Sequence, residues 1–343
     1  MIKKFFGPFK EKILIVDQLT PKNFEPKHSL LFIDENLKEF PEIKKLESKF
    51  QILFLKAGED LKSIDGLKSV LIKIEPLLEN IQPPYCFVAI GGGSMGDFCG
   101  FLASIYHRGV DFIQCPSTWL AAIDSSHGGK TALNVLSFKN QIGTFYPAKQ
   151  IIVSKSLLQH QSPTKAMGEI TKTILLSSQN SKLRNFINKN WPADFDTVWS
   201  SITDFINVKN SYVKKDPKEK KKERFKLNLG HTVGHALEKI YGLPHSEAVL
   251  RGVIFAVTWS VKKKYSHIKL LQVLIHYLEI NQFFLGDLPK KSEVEFEKAL
   301  LKDKKRSGED INFVFLKNFR AVIKKVTVPE IIKELKNQGL IAK

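Results

Sequence analysis

The chain has 343 residues, of which 43% are hydrophobic and 26% are charged. This composition is typical of a globular protein and excludes a disordered, collagenous or small disulfide-rich chain. Its 53 basic and 35 acidic residues leave a net charge of +18, which favours nucleic acid, membrane surfaces or phosphorylated metabolites as partners without selecting among them.

The three cysteines, Cys86, Cys99 and Cys115, cannot all be paired and show no C-x-x-C spacing. We therefore expect a reducing, cytoplasmic compartment. No stretch approaches the roughly 18 apolar residues of a membrane helix, so no membrane partner is expected. The first apolar run, residues 13–16, is too short for a secretory signal and predicts a strand.

The first half of the chain alternates short apolar runs with amphipathic stretches. The runs predicted as strands are residues 13–16, 30–33, 52–55, 86–90, 112–115 and 151–153. Between them, stretches such as residues 61–78 repeat apolar side chains at helical spacing. This alternation predicts an α/β fold with a Rossmann-like, mostly parallel sheet over residues 1–154.

The second half has mainly helical periodicity. The predicted helices are residues 167–178, 199–213, 231–240, 247–262 and 270–278, and residues 312–316 and 321–326 predict a hairpin. A mainly helical second domain over residues 155–343 follows. The lysine-rich run 214–226 predicts a solvated loop, and because no nucleic-acid-binding fold accompanies it, we expect no nucleic-acid partner.

The strongest local signal follows the strand at residues 86–90. Gly91, Gly93 and Gly96 satisfy G-x-G-x-x-G between a strand and a helix, a pattern typical of pyrophosphate binding at a helix N-terminus. The acidic residue expected about 20 residues later falls near Asp111, which opens a strand. A ribose partner must therefore come from elsewhere, and a purely structural turn is the alternative.

The same turn fits a second chemistry. Residues 92–96 also read G-x-S-x-G, the nucleophile elbow of α/β-hydrolases, with Ser94 as nucleophile. This interpretation needs an acid and then a histidine downstream. By order alone, Asp204 with His231 or His245 could supply them.

A glycine pair precedes Lys130 in the segment from residue 124 to residue 134. It resembles the end of a phosphate-binding P-loop, but Asp124 stands where the full spacing requires glycine. The P-loop interpretation fails. Lys130 can still bind an anion as a point charge.

Histidines supply the third signal. His231 and His235 are four residues apart on one predicted helix face, and His245 begins the next helix. The zinc-protease pattern H-E-x-x-H is absent because position 232 is Thr. Imidazoles meeting where helices abut favour a metal site, which Glu169 on another predicted helix could complete. The alternative is a set of structural helical histidines.

In order, nine segments carry a family resemblance: IDEN, AGEDLK, GGGSMGDFCGFLASIYHRG, QCPSTWLAAIDSSHGGKTALN, FKNQIGTF, GEITK, NLGHTVGHALE, HSEAV and DKK. They resemble the 3-dehydroquinate synthases, which belong to the sugar phosphate cyclases, over about residues 34–316. The resemblance implies conversion of 3-deoxy-D-arabino-heptulosonate 7-phosphate, a phosphorylated sugar acid, to 3-dehydroquinate and phosphate in the shikimate pathway. In this family NAD transiently oxidises the substrate, phosphate is eliminated, the hydride returns, and an intramolecular aldol closes the ring.

The resemblance also implies a site, residue by residue. NAD contacts are expected at Asp34, Asn36, Glu59, Lys62, Gly93, Ser94, Met95, Gly96, Asp97, Ser117, Thr118, Lys130 and Lys139. Glu169, His231 and His245 are expected to bind a divalent metal, which is usually zinc and can be cobalt. Substrate contacts are expected at Asp124, Lys130, Asn140, Lys172, Lys209, Arg224, Asn228, His235 and Lys304, with His235 as a proton relay.

Arg108 matches an arginine that reaches the neighbouring subunit's site, so the resemblance implies a homodimer. The pattern departs at Phe138 and Ser246, where the family commonly has glycine. Another sugar phosphate cyclase with a different substrate is the alternative. Arg224 and Asn228 argue against it, because they match the family's substrate-anion positions.

Overall fold

The computed structural model describes residues 3–136, 138–177, 180–289, 291–301, 306–307 and 310–341. The chain divides into two compact units, Met1–Ser162 and Pro163–Lys343. In the described ranges, no helix combines the length and apolar character needed to cross a membrane.

The first unit contains nine strands and four α-helices within the described residues. The strands are β1 (Lys3–Phe6), β2 (Lys12–Val16), β3 (Ser29–Asp34), β4 (Gln51–Leu55), β5 (Cys86–Gly91), β6 (Asp111–Pro116), β7 (Lys130–Val135), β8 (Phe138–Phe145) and β9 (Gln150–Ser154). The helices are α1 (Pro41–Glu47), α2 (Ile64–Leu78), α3 (Gly93–Ile105) and α4 (Lys155–Leu158). Shorter turns of helix cover Pro21–Asn23, Glu35–Leu37, Tyr106–Arg108 and Ala121–Ser125.

Seven strands form one sheet in the order β1-β2-β9-β6-β5-β3-β4. All neighbours are parallel except β1 and β2. All six predicted strands are confirmed. Their apolar runs include core residues such as Ile33, Val88 and Ile152, and only the run of the edge strand β4 is mostly half-buried. β1 and the separate antiparallel β7–β8 hairpin were not predicted, since β1 and β8 are mostly exposed and carry no apolar run.

The predicted helix at residues 61–78 begins three residues late, at Ile64. The Ser63 hydroxyl accepts a hydrogen bond from the backbone N–H of Gly66 at 2.9 Å, so Ser63 is the N-cap. A capped start stabilises α2 and leaves the preceding residues in a loop. Glu59 and Lys62, two expected NAD contacts, lie in that loop.

The second unit is mainly helical. Its helices are α5 (Met167–Leu175), α6 (Ser181–Asn188), α7 (Phe195–Ser200), α8 (Ile202–Lys215), α9 (His231–Tyr241), α10 (His245–Lys262), α11 (Ile268–Ile280), α12 (Glu293–Leu301) and α13 (Val328–Asn337). Its strands are β10 (Arg306–Ser307), β11 (Asp310–Lys317) and β12 (Arg320–Thr327), and 3-10 turns cover Pro163–Ala166 and Arg224–Asn228.

The α/β class with a helical second part is confirmed. The five helices predicted here are present, although the stretch predicted at residues 199–213 spans the end of α7 and most of α8. The predicted hairpin is the antiparallel pair β11–β12. α10 is central: it contacts α5, α9, α11 and β11.

Candidate functional site

Three helices of the second unit begin close together. Glu169 lies in the first turn of α5, His231 is the first residue of α9, and His245 is the first residue of α10. α10 contacts both other helices. Three potential metal ligands far apart in sequence are thereby brought together.

Glycines permit this close approach. Gly230, just before α9, has φ +81°, and a Cβ there would lie 2.7 Å from the backbone nitrogen of Val253. On α10, a Cβ at Gly252 would lie 2.0 Å from the Gly230 carbonyl oxygen. Both contacts are shorter than atoms tolerate, so the start of α9 can sit against α10 only because these side chains are absent.

Ser246 joins the starts of α5 and α10. Its hydroxyl accepts a hydrogen bond from the backbone N–H of Gly168 at 2.9 Å, and its side chain is buried. This bond satisfies one of the N–H groups that a helix N-terminus leaves without an internal partner. Ser246 departs from the family pattern, and here it ties the residue before Glu169 to the residue after His245.

The ligand atoms point toward one another. Glu169 Oε1 lies 3.3 Å from His231 Nε2 and 3.6 Å from His245 Nε2. One potential ligand atom from each residue lies within 4.8 Å of the other two. Two imidazoles and a carboxylate match the three-ligand set of catalytic zinc sites, which keep a fourth position for water or substrate.

The other ring nitrogen of each histidine also has a partner. His231 Nδ1 lies 3.3 Å from the carbonyl oxygen of Leu229, and His245 Nδ1 lies 2.9 Å from Glu238 Oε2. Both partners are acceptors, so Nδ1 carries a proton in each ring, and Nε2, which faces Glu169, would be the nitrogen that binds a metal. Metal-binding histidines are commonly oriented in this way, so the residues fit a divalent metal.

The carboxylate at the centre is fully buried. Glu169 is 1% exposed and forms an ion pair with the buried Lys172 one turn later. Burial alone would raise the pKa of Glu169, but Lys172 and His231 lower that pKa well below its ordinary value. Burial would lower the pKa of His245, but Glu169 and Glu238 raise it to about 9. The site therefore keeps an ionised carboxylate where a cation would bind.

His235 lies one helical turn after His231. Its ring centroid is 5.3 Å from that of His231 and 6.0 Å from that of His245. His235, Glu238 and His245 also offer ligand atoms within 4.8 Å of one another. His235 is therefore a third imidazole beside the two that would bind a metal.

Asp216 organises the lysine-rich loop. One oxygen accepts hydrogen bonds from the backbone N–H groups of Lys220 at 2.7 Å and Lys221 at 3.0 Å, and the other accepts from that of Arg224 at 3.4 Å. Asp216 is buried although the neighbouring lysines are exposed. The loop lysines are exposed, as a solvated loop requires, and the buried carboxylate of Asp216 satisfies the loop's backbone donors.

This loop leads to two expected substrate contacts. The buried Arg224 donates from Nη1 to the carbonyl oxygen of Pro217 at 3.0 Å, and Asn228 ends the same 3-10 turn just before α9. Lys209 is buried on α8, which contacts that turn. Lys304, the remaining expected contact, lies outside the described residues.

In the first unit, the glycine turn joins β5 to α3. α3 begins at Gly93, with Gly92 as its N-cap in an extended conformation. A Cβ at Gly92 would lie 3.2 Å from the methyl group of Thr118, so the turn has little room for a side chain. Met95, Gly96 and Asp97 lie in the first turns of α3, whose amino end can attract phosphate.

An acidic residue stands beside this turn. A Cβ at Gly91 would lie 3.5 Å from the Cβ of Asp34, at the end of neighbouring β3. Asp34 Oδ1 accepts hydrogen bonds from the backbone and side-chain amides of Asn36, at 3.1 and 3.0 Å. The buried Ser117, just after β6, donates its N–H to the Gly91 carbonyl oxygen at 2.9 Å. These residues line the carboxyl ends of adjacent parallel strands, where open α/β sheets bind ligands.

A lysine connects two groups of expected contacts. The buried Lys62 Nζ donates to Asp97 Oδ2 and to Asn140 Oδ1, each at 2.8 Å. Asp97 is an expected NAD contact, and Asn140 is an expected substrate contact. Hydrogen bonds therefore place both kinds of residue in one polar network.

The other expected contacts of this unit are more dispersed. Lys130 opens β7 and Lys139 lies on β8, and both are exposed. Asp124 lies in the helical turn Ala121–Ser125. Arg108 is exposed just after α3 and has φ +66°.

The hydrolase interpretation lacks its geometry. Ser94 lies inside α3 and is absent from the described residues with positive φ, unlike the strained nucleophile of an elbow. Asp204 instead accepts hydrogen bonds from Asn180 at 2.9 Å and Lys182 at 3.2 Å. The Nδ1 atoms of both candidate histidines already face the acceptors described above.

Sequence reasoning missed two polar residues of these sites. Glu238 could have been found from its spacing, because it lies three residues after His235 on the same helix. Asn134 is the last residue of the family motif QCPSTWLAAIDSSHGGKTALN, but its contacts with Glu59 and Asn140 depend on how β7 and β8 pair. No local pattern reveals those contacts.

Solved structures show the same fold. A 2-deoxy-scyllo-inosose synthase complexed with carbaglucose-6-phosphate, NAD+ and Co2+ matches with a TM-score of 0.82 and 21% identity, over 98% of this chain and 100% of that one. A 2-epi-5-epi-valiolone synthase from Streptomyces hygroscopicus subsp. jinggangensis 5008, with NAD+ and Zn2+ bound, matches with a TM-score of 0.79 and 18% identity, over 96% of each chain. The fold is therefore that of these cyclase structures.

Sequence comparison is more specific. Family models described as 3-dehydroquinate synthase N-terminal and C-terminal match residues 52–167 and 166–306. A 3-dehydroquinate synthase from Ruthia magnifica subsp. Calyptogena magnifica is 34% identical over 79% of this chain and 77% of its own. One from Francisella tularensis subsp. holarctica is 37% identical over 77% and 75%. The chain belongs to the 3-dehydroquinate synthase family.

Proposed function

We propose that this chain catalyses the reaction of its family, as a lyase that converts 3-deoxy-D-arabino-heptulosonate 7-phosphate to 3-dehydroquinate and phosphate. The observation that carries the proposal is the convergence of Glu169, His231 and His245, with both Nδ1 atoms already oriented by acceptors. This arrangement occurs in a chain 34–37% identical to named synthases.

Two bound groups are proposed, one in each unit. Glu169, His231 and His245 would hold a divalent metal, zinc or cobalt, and the strand ends around Asp34 and Ser117 would hold NAD. When bound, NAD supplies a reversible hydride acceptor and the metal supplies a Lewis acid for the substrate oxygen. Reversible oxidation is required because the overall reaction leaves NAD unchanged.

The chain's own side chains would bind the substrate and move protons. Lys172, Lys209 and Arg224 are buried cations that can attract the carboxylate and phosphate of the substrate. Lys130, Asp124, Asn140, Asn228 and Lys304 are proposed as further contacts by resemblance. His235 is proposed to exchange the proton of a substrate hydroxyl, since an imidazole can act as both acid and base near pH 7.

The direct test is phosphate release. Purified chain supplied with NAD and zinc should release phosphate from heptulosonate phosphate and form 3-dehydroquinate. Treatment with a chelator should abolish the reaction, and added metal should restore it. A chain with both groups demonstrably bound that releases no phosphate would contradict the proposal.

A matched pair of histidine variants separates the site from the rest of the second unit. His231→Ala removes a proposed ligand, and we expect loss of bound metal and of phosphate release. His276→Ala changes an exposed histidine on α11 and should leave both unchanged. Equal activity in the two variants would remove His231 from the mechanism.

The substrate needs its own test, because the solved structures of the same fold include a synthase bound to carbaglucose-6-phosphate. We expect turnover of heptulosonate phosphate and none of sugar phosphates that lack a carboxylate. Arg224 supports this expectation, since a guanidinium binds a carboxylate with two parallel hydrogen bonds. Preference for a neutral sugar phosphate would indicate a cyclase of another specificity.

We also propose a homodimer in the cytoplasm. The exposed Arg108 supports the first part, because its family counterpart serves the neighbouring subunit. Mixing two inactive variants, Arg108→Ala and His231→Ala, should then restore part of the activity through mixed dimers. The free thiols of Cys86, Cys99 and Cys115 support a reducing compartment, which fractionation of the source cells would test.

A further inference from the structure

One residue of the β7–β8 hairpin contacts three residues expected to bind ligands, two through its side chain and one through its backbone. Asn134 Nδ2 donates to Glu59 Oε2 at 2.7 Å, and Asn134 Oδ1 accepts from the backbone N–H of Asn140 at 2.9 Å. The backbone N–H of Asn134 donates to the Lys62 carbonyl oxygen at 2.6 Å. A carboxylate requires the amide NH2 and an N–H requires the amide oxygen, so these partners also fix the orientation of the Asn134 amide.

Asn134 lies opposite an irregularity in the hairpin. Leu133 pairs with Ile142, but Val135 pairs with Phe138, so β8 has more residues than β7 between the two pairs. Asn140, in the extra segment, has φ +54°, a left-handed conformation that asparagine tolerates better than most residues. Bulges of this kind redirect side chains, and the hydrogen bond from Asn140 to Asn134 holds this one.

The redirected Asn140 side chain meets Lys62. Lys62 Nζ donates to Asn140 Oδ1 and Asp97 Oδ2, and the Lys62 carbonyl oxygen accepts from Asn134. The loop before α2, the amino end of α3 and the bulge are therefore joined through Asn134 on one side and Lys62 on the other. Displacing Asn134 would release Glu59 and Asn140 together.

We propose that Asn134 is a positioning residue, which sets Glu59 for the nucleotide and Asn140 for the substrate through one side-chain amide. This inference rests on the proposed function, since Glu59 and Asn140 matter only if the chain binds NAD and a sugar phosphate. Asn134 itself touches neither ligand in this role.

The test measures NAD binding. Asn134→Asp keeps the shape and the acceptor for Asn140, but it turns the donor toward Glu59 into a second carboxylate oxygen. We expect the NAD dissociation constant, measured by titration, to rise on the order of tenfold, because a hydrogen bond to a charged group is replaced by repulsion. Asn134→Ala, which adds no charge, should also weaken NAD binding and should raise the substrate KM more than it lowers kcat.

Thr144→Val is the matched control on the same hairpin. It removes the 2.8 Å hydrogen bond between the hydroxyls of Thr131 and Thr144 without changing the Asn134 contacts. We expect a lower urea midpoint and an unchanged NAD dissociation constant. If Thr144→Val weakens NAD binding as much as Asn134→Asp does, Asn134 is merely structural and the inference is overturned.

Combining Asn134→Asp with Glu59→Gln tests the contact itself. The introduced glutamine amide can donate to the introduced carboxylate, so the bridge is rebuilt with donor and acceptor exchanged. Asn134→Asp should then cost less NAD affinity in the Glu59→Gln background than in the wild type. Equal costs in both backgrounds would overturn the inference, whereas a wild-type chain that binds no NAD would contradict the proposed function instead.

Discussion

The candidate sites of the two units use different chemical groups. In the first unit, the glycine turn after β5 presents backbone N–H groups to a ligand. Asp34 and Ser117 lie at the ends of β3 and β6, the two parallel neighbours of β5. In the second unit, Glu169, His231 and His245 supply side-chain atoms from three helix starts. The comparison teaches that the glycine turn depends on local chain geometry, whereas the cluster of Glu169, His231 and His245 depends on tertiary packing.

This difference predicts different responses to substitution. A site that binds its ligand through backbone groups should keep its affinity when a side chain of the turn is removed. A site that binds a metal through side chains should lose affinity when one ligand residue is changed, or when the packing that positions it is changed. The following predictions test that contrast, from the largest expected effect to the smallest.

Replacing the central carboxylate should have the largest effect. Glu169→Gln removes a negative ligand, so we expect metal affinity to fall by more than the roughly 10–100-fold typical of outer-shell changes. NAD binding by the first unit should change little. Metal content after dialysis and NAD titration measure the two effects, with Glu334→Gln, another buried carboxylate, as control. Full metal retention by Glu169→Gln would refute the ligand assignment.

The glycine before α9 should matter more than the glycine after it. Both Gly230 and Gly242 have positive φ, but a Cβ at Gly230 would collide with Val253, whereas a Cβ at Gly242 would meet nothing within 4 Å. We expect Gly230→Ala to lower the free energy of unfolding by about 3 kcal/mol and Gly242→Ala by about 1 kcal/mol. Urea unfolding measures both, and equal losses would contradict the packing argument.

Glu238 should affect the metal without binding it directly. Glu238→Gln weakens the hydrogen bond that orients His245 through Nδ1, so we expect metal affinity to fall about tenfold with little loss of stability. The control is Glu279→Gln, which changes an exposed glutamate 3.7 Å from His276. Competition with a chromogenic chelator gives the affinities. Unchanged affinity in Glu238→Gln would show that His245 is oriented by other contacts.

The anchor of the lysine-rich loop should give a pH-dependent effect. Burial would raise the pKa of Asp216, but hydrogen bonds from the backbone N–H groups of Lys221, Arg224 and Lys220 lower it below its ordinary 3.8. The carboxylate therefore contributes stability above about pH 4, and this contribution is lost as pH falls through the folded-state pKa. Asp216→Asn should cost about 1 kcal/mol at pH 7 and less at pH 3, measured by urea unfolding. A cost that grows on acidification would have the wrong sign.

Ser94 should give the smallest effect. Because the turn is proposed to bind through its backbone, Ser94→Ala should change the NAD dissociation constant by no more than about threefold and leave phosphate release in place. A hydrolase would instead lose its activity completely. NAD titration and the phosphate assay on the same preparation distinguish the two outcomes.

The accuracy of sequence reasoning followed the range of the interactions. The buried strands such as β3 and β5 were predicted because continuous apolar runs identify strands covered on both faces. His245 was also expected to begin a helix, and it is the first residue of α10. β8 was missed because its exposed residues carry no apolar pattern, and with it the contacts of Asn134 were missed.

The sequence by itself determined the alternation of strands and helices, the glycine turn and the histidine spacing on α9, since each depends on neighbouring residues and a fixed backbone period. Tertiary structure decided that Glu169 is the carboxylate that faces the two imidazoles and that Asn134 contacts Glu59. Those contacts join residues dozens of positions apart. Only the packing of helices at glycine contacts and the register of paired strands bring such residues within hydrogen-bonding distance.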